Sequence, residues 1–214
     1  MTTRTIKVYT DYKSPYAYLA KDLAFDLAAE TGVRLDWLPY TLDIPAYLGS
    51  AQLDASGAVM AESRNAHQWR RVKYSYMDCR REANRRGLTI RGTRKIWDSS
   101  VANIGMLYAK QQDAFRAYHD RVFERFWRRE LDIEDADRVG AVLQECGADA
   151  SGFAAFVAGE GRRRLTEIQR DAEAAGVFGV PSFLLDDGDL YWGREHLPRI
   201  RELVGRPVSL DRRR

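Results

Sequence analysis

"DYKSPYAYLA", residues 11–20, joins two segments of different periodicity, and its reading decides the fold. Before it, "RTIKVYT" (4–10) is short and β-branched and stops abruptly, which reads as a strand. From within it, Tyr16, Leu19, Ala20, Leu23, Ala24 and Leu27 recur at i, i+3, i+4, i+7, i+8 and i+11, the spacing of one helix face. Ser14-Pro15 sits at the junction. Serine is a favoured N-cap, and proline suits the first helical position, where its missing N–H has no partner to lose. Gly32 closes the helix, because glycine takes a left-handed cap without strain. "VRLDWL" (33–38) alternates, with Val33, Leu35 and Trp37 on one side, and reads as a second strand. Strand, helix and strand in succession make a βαβ unit with parallel strands and a right-handed crossover.

Beyond it, "PYTLDIPAYLGSAQLDASGA" (39–58) holds two prolines and two glycines and reads as a long irregular connection. Helical patterns follow at 68–86, 99–112, 114–128, 134–146, 151–157 and 160–175. "DIEDADRVGAVLQECG" shows the acidic start and glycine stop expected of helix polarity. "PSFLLDDGDLYWG" (181–193) has the apolar–turn–apolar form of a hairpin, and "REHLPRIRELVG" (194–205) places Leu197, Ile200, Leu203 and Val204 on one helix face. The tail "RPVSLDRRR" (206–214) reads as a loosely held end. A lone hairpin is not stable by itself, so the simplest arrangement joins the two ends of the chain in one sheet. The expectation is an α/β, thioredoxin-like fold interrupted by an all-helical insertion domain. Residues 1–58 and 176–214 would form the thioredoxin-like domain and 59–175 the insertion.

Composition narrows the function classes. The 214 residues are 45% hydrophobic and 30% charged with a net charge of +3, an ordinary globular balance too mild to argue for nucleic acid. Arg162-Arg163-Arg164 and Arg212-Arg213-Arg214 read as solvated charge. No apolar run approaches membrane-spanning length and no export signal is visible, so a cytoplasmic protein without a membrane partner is expected. Cys79 and Cys146 are far apart and read as reduced, partly buried thiols. His67, His119 and His196 lack ligand spacing, so no metal site is expected. Trp69, Tyr74, Trp97, Phe126 and Trp127 read mainly as helix-core aromatics, Tyr12, Tyr16 and Tyr18 flank Ser14, and Lys13 reads as solvated.

In a thioredoxin-like fold the first helix aims its free N–H groups at the loop after the first strand, where they stabilise a thiolate. Redox members carry Cys-Pro-x-Cys in this turn; here the slots read Ser14-Pro15-Tyr16-Ala17. Dithiol exchange is therefore unavailable, but a helix N-terminus and a hydroxyl able to donate to an external thiolate remain. "YTDYKSPYAYLA" (9–20), "KYSYMDCRREANRRGL" (73–88) and above all "GVFGVPSFLLDDGDLYWGREHLPRIRELVG" (176–205) resemble the 2-hydroxychromene-2-carboxylate isomerases and kappa-class glutathione transferases.

The resemblance implies that Ser14 hydrogen-bonds the sulfur of glutathione. It implies that Val180-Pro181 is a cis bond whose Val180 backbone pairs with the cysteinyl part, and that the enzyme is a homodimer acting on a small aromatic substrate. It places Arg194 and Glu195 at the γ-glutamyl end. There the family commonly has Gly-Ser-Asp or Gly-Gln-Asp, whereas this chain has Gly193-Arg194-Glu195; an asparagine common at a helix start is Asp98 or Ser99 here. These departures leave glutathione or another low-molecular-weight thiol as the cofactor. The expected function is a thiol-dependent isomerase acting on an aromatic or polyketide-like electrophile, with Ser14 as the catalytic residue. The alternatives are a kappa-class-like glutathione transferase, a DsbA-like protein without redox cysteines, and a non-catalytic binding module.

Overall fold

The computed structural model describes residues 4–205. The chain runs β1 (Thr5–Thr10), α1 (Pro15–Thr31), β2 (Arg34–Pro39), α2 (Ile44–Leu48), β3 (Ala51–Leu53) and β4 (Val59–Glu62). Six helices follow: α3 (Ala66–Arg85), α4 (Ser100–Lys110), α5 (Phe115–Trp127), α6 (Ala136–Glu145), α7 (Phe153–Ala158) and α8 (Glu160–Ala174). The chain returns through β5 (Ser182–Leu184), β6 (Leu190–Trp192), a 3-10 turn (Arg194–His196) and α9 (Leu197–Val204).

Both ends of the chain build one four-stranded sheet in the order β2-β1-β5-β6. β1 and β2 are parallel, with Val8 beside Trp37; β5 runs antiparallel to β1, with Tyr9 opposite Ser182; β6 returns antiparallel to β5, with Trp192 opposite Ser182. The C-terminal ends of β1 and β6 and the N-terminal end of β5 thus share one edge of the layer. This is the α/β, thioredoxin-like fold with helices inserted between the halves of the sheet.

α1 is buried beyond its expected stripe. Leu19, Ala20, Ala24 and Leu27 meet the core, but Tyr18 and Lys21 are buried too, because α5 covers the opposite flank. Tyr18 stacks on Phe123 at 5.3 Å, and Lys21 pairs with Asp120. The insertion is seated by Tyr12, whose ring lies edge-on to Tyr118 (6.0 Å) and Phe123 (4.8 Å) and whose hydroxyl meets His119 Nδ1 at 3.0 Å. Burying an aromatic or aliphatic side chain of this kind contributes about 1.5–3 kcal/mol, and one contiguous apolar core runs through sheet and helices.

Three expectations need correction. Residues 39–58 are not irregular throughout. Asp43 caps α2 by accepting from the Ala46 N–H, and Pro45 occupies its first turn. Asp54 Oδ1 accepts from the Ser56 and Ala58 N–H groups, which with Gly57 at φ 93° turns the chain from β3 into β4. Lys13 is not solvated: it is 7% exposed beside Asp11. Tyr74 is not a core aromatic but is exposed on α3, whereas Phe126 and Trp127 are buried. The tail 206–214, with Arg212-Arg213-Arg214, lies outside the described residues. Among the described residues no helix is long and apolar enough to cross a membrane.

Candidate active site

Ser14 caps α1. Its backbone is extended (φ −92°, ψ 115°), its Oγ accepts from the Ala17 N–H at 3.2 Å, and its N–H donates to the Asp11 carbonyl at 3.0 Å. The capping geometry uses the hydroxyl oxygen and leaves the hydroxyl hydrogen without an acceptor among the described residues. Pro15, at the first helical position, removes one competing N–H, and the remaining first-turn amides add a positive end potential.

Two charges flank the cap. Asp11, fully buried, accepts from the Leu42 N–H at 2.8 Å and the Lys13 N–H at 3.3 Å. Lys13 Nζ lies 3.8 Å from its carboxylate. On the far side, burial alone pushes the Asp98 carboxyl up, but hydrogen bonds from Ser100 and the nearby cations Lys13 and Arg162 outweigh it and hold Asp98 below its ordinary range. Lys13 therefore lies between the sheet end and the start of α4. Ser99 and Asn103 are fully buried there. Asn103 Nδ2 donates to Thr41 Oγ1 at 3.0 Å, while its Oδ1 has no partner among the described residues.

The other wall is the entry to β5. The Val180–Pro181 peptide bond is cis. Both residues are buried. Neither the amide nor the carbonyl of Val180 makes a hydrogen bond among the described residues. The Pro181 carbonyl accepts from Gly193 N–H at 2.9 Å, which ties the end of β6 to this loop. Gly193 has φ 108°, and a side chain there would collide with the Glu195 carboxylate. The structure thus gathers Ser14, Val180, Pro181, Arg194 and Glu195 at one end of the sheet. Glu195 is exposed; Arg194 is half-buried, its guanidinium carbon 5.8 Å from the Tyr16 ring centre.

Of the tyrosines beside Ser14, Tyr12 and Tyr18 belong to the core, and Tyr16 alone borders the site. Burial, with Cys79 adjacent, pushes the Tyr16 hydroxyl up to about 12. Burial likewise pushes the Cys79 thiol up to about 12, so it stays protonated. Both cysteines are free. Asp11 and Asn103 escaped the sequence reading. Their signals were faint: a carboxylate two residues before a lysine, and one amide in the apolar run "SVANIGMLYA".

A family profile described as "DSBA-like thioredoxin domain" matches residues 5–205. The 2-hydroxychromene-2-carboxylate isomerase of Sphingobium xenophagum is 30% identical over 202 residues, spanning 91% of this chain and 95% of that protein. A solved 2-hydroxychromene-2-carboxylate isomerase superposes with a TM-score of 0.71 at 23% identity, covering 94% of each chain. The cytosolic disulfide reductase DsbM from Pseudomonas aeruginosa, solved with GSH, superposes with a TM-score of 0.63 at 17% identity, over 94% of this chain and 96% of that one.

Proposed function

Because the chain belongs to the DSBA-like thioredoxin domain family, we propose that its sheet end is the thiol site of a thiol-dependent isomerase. There Ser14 holds glutathione, or a related small thiol, as a thiolate facing an aromatic or polyketide-like electrophile. The observation that carries the reading is the uncommitted Ser14 hydrogen. The hydroxyl oxygen is already engaged by Ala17 N–H, so its proton remains to be given to a ligand. A hydrogen bond to a charged group contributes about 1.5–3 kcal/mol, which lowers a bound thiol's pKa by about one to two units.

The residues fit a peptide-like thiol. The unpaired Val180 amide and carbonyl can receive an extended segment as an added strand. The α1 N-terminus supplies positive potential beside the sulfur position. The exposed Glu195 carboxylate suits an ammonium group. Ser14 is a donor in this scheme and does not itself become the nucleophile. When bound, the thiol supplies a soft nucleophile that adds to one substrate carbon and later departs. Rotation about a bond in between changes geometry with no net change in atoms or oxidation state.

The isomerase relative at 30% identity supports isomerisation over conjugation, and the DsbM structure with GSH supports glutathione as the thiol to test first. Dithiol exchange is disfavoured, because the turn holds Ser14 and Ala17 in place of cysteines and Cys79 remains protonated. The same reading makes the protein a homodimer, which sedimentation equilibrium checks. The activity test uses 2-hydroxychromene-2-carboxylate with and without glutathione. Isomerisation that requires the thiol and falls at least tenfold in Ser14→Ala supports the proposal. Turnover indifferent to both overturns it.

A further inference from the structure

A cavity of about 300 Å³ opens between the β3–β4 hairpin, α3 and residues 92–96. It faces a different flank of α3 from the thiol site. Ser75 and Cys79 lie toward Tyr16, whereas Trp69, Lys73, Tyr76 and Arg80, at i, i+4, i+7 and i+11, line the cavity. Its walls carry five cations (Arg64, Lys73, Arg80, Lys95 and Arg129) and no carboxylate. Glu134 lies outside the lining and pairs with Lys95, and Glu62 accepts from the Trp69 indole. Among the described residues, Arg64, Lys73, Arg80 and Arg129 have no carboxylate within ion-pair distance, and neither do the adjacent Arg91 and Arg94.

These cations are placed. Arg80 Nε donates to the Ile90 carbonyl at 3.3 Å, Arg129 Nε to the Gly92 carbonyl at 2.8 Å and Arg64 Nε to the Leu48 carbonyl at 3.0 Å. Gly92 brings two of them together: its carbonyl holds Arg129, and a side chain on it would stand 3.0 Å from Arg80 Nη2. Partial desolvation pushes the Arg129 guanidinium down, and Arg94, Arg91 and Arg80 push it further. Backbone carbonyls thus hold several like charges together without neutralising them, an arrangement relieved by an anion of more than one charge. Paired guanidinium forks match phosphate oxygens, and the volume suits a small molecule.

We propose that this cavity is a binding site for a small molecule carrying adjacent phosphates, separate from the thiol site. The Arg80 and Arg129 guanidiniums grip the phosphates and Lys73 and Arg64 complete the charge, with Arg80 backed by the Tyr76 ring at 5.6 Å and Arg64 by the Trp69 ring at 5.0 Å.

The test is calorimetric titration of the whole protein with pyrophosphate, and with acetate as a monovalent control. The expected result is one saturable pyrophosphate site per chain and no acetate binding. Affinity should fall at least tenfold in Lys73→Gln/Arg80→Gln, whose exposed side chains leave the circular dichroism unchanged, and should be unaltered in Ser14→Ala. Adenosine diphosphate separates the sources: tighter binding than pyrophosphate points to a nucleotide-like ligand, equal binding to the diphosphate alone, and either supports the site. Absence of saturable pyrophosphate binding, equal affinity in the double variant, or binding of single-stranded RNA only would overturn it.

Discussion

The Ser14 hydroxyl caps α1 and, in the proposed function, also holds a thiolate, so one substitution removes both. In Ser14→Ala the cap to Ala17 N–H is lost, and stability should drop by about 1 kcal/mol in denaturant melts. The proposed thiolate contact is lost with it. Lys13→Met tests the neighbouring charge. It leaves Asp11 buried with only backbone donors, and removing one partner of such a pair costs about 3 kcal/mol, read as a lower urea midpoint.

His119 predicts a pH dependence. Burial among aromatic rings, with Lys21 and Arg116 nearby, pushes its pKa well below the ordinary value, so the folded protein holds it neutral. Above about pH 6.5 both folded and unfolded states are neutral. Below it the unfolded state takes up a proton that the folded state refuses, and stability falls as pH drops, by about 1.4 kcal/mol per unit. Urea titrations from pH 7.5 to 5.5 should show this decline, and His119→Gln, less stable overall, should lose it. The Ser14 cap was legible in the sequence, but the surroundings of His119 and Lys13 were not. Tyr12 and His119 are 107 positions apart, and the burial of Lys13 depends on the sheet end, Asp11 and the start of α4 meeting in space.

At the scale of elements, local pattern carried far. Apolar spacing located α1 and the helices from α3 to α8 to within a few residues, because each buries one stripe and stops at a local signal. It failed at α2, β3 and β4, where proline and glycine density read as loop. The Asp43 cap and the Asp54–Gly57 turn were present in the sequence, but strands of three and four residues are too short for a period to declare itself. Packing also overrides propensity in α4. Gly105 gives way to Tyr118, whose hydroxyl donates to the Ala102 carbonyl at 2.8 Å, and a side chain at 105 would overlap that hydroxyl and come 3.0 Å from Val139. Alanine in a helix gains about 1 kcal/mol over glycine, but overpacking costs about 1–3 kcal/mol. Gly105→Ala should therefore lower the thermal midpoint.

At the scale of the whole molecule, the sheet brings residues from the two ends of the chain to one edge. The hairpin signature and the βαβ unit together implied this, and the order β2-β1-β5-β6 realises it. The Ser-Pro turn could then be read as more than a cap, because the fold sets Ser14 across from Val180-Pro181. The central claim is that this edge stabilises an external thiolate through the Ser14 hydroxyl. The most direct measurement follows the ultraviolet absorbance of the thiolate of bound glutathione against pH, in the natural protein and in Ser14→Ala. The account predicts that the bound thiol ionises at least about one unit below the ordinary value near 8.5, and that most of this shift disappears in the variant. A thiol that ionises identically in both proteins, or that neither protein binds, would contradict it.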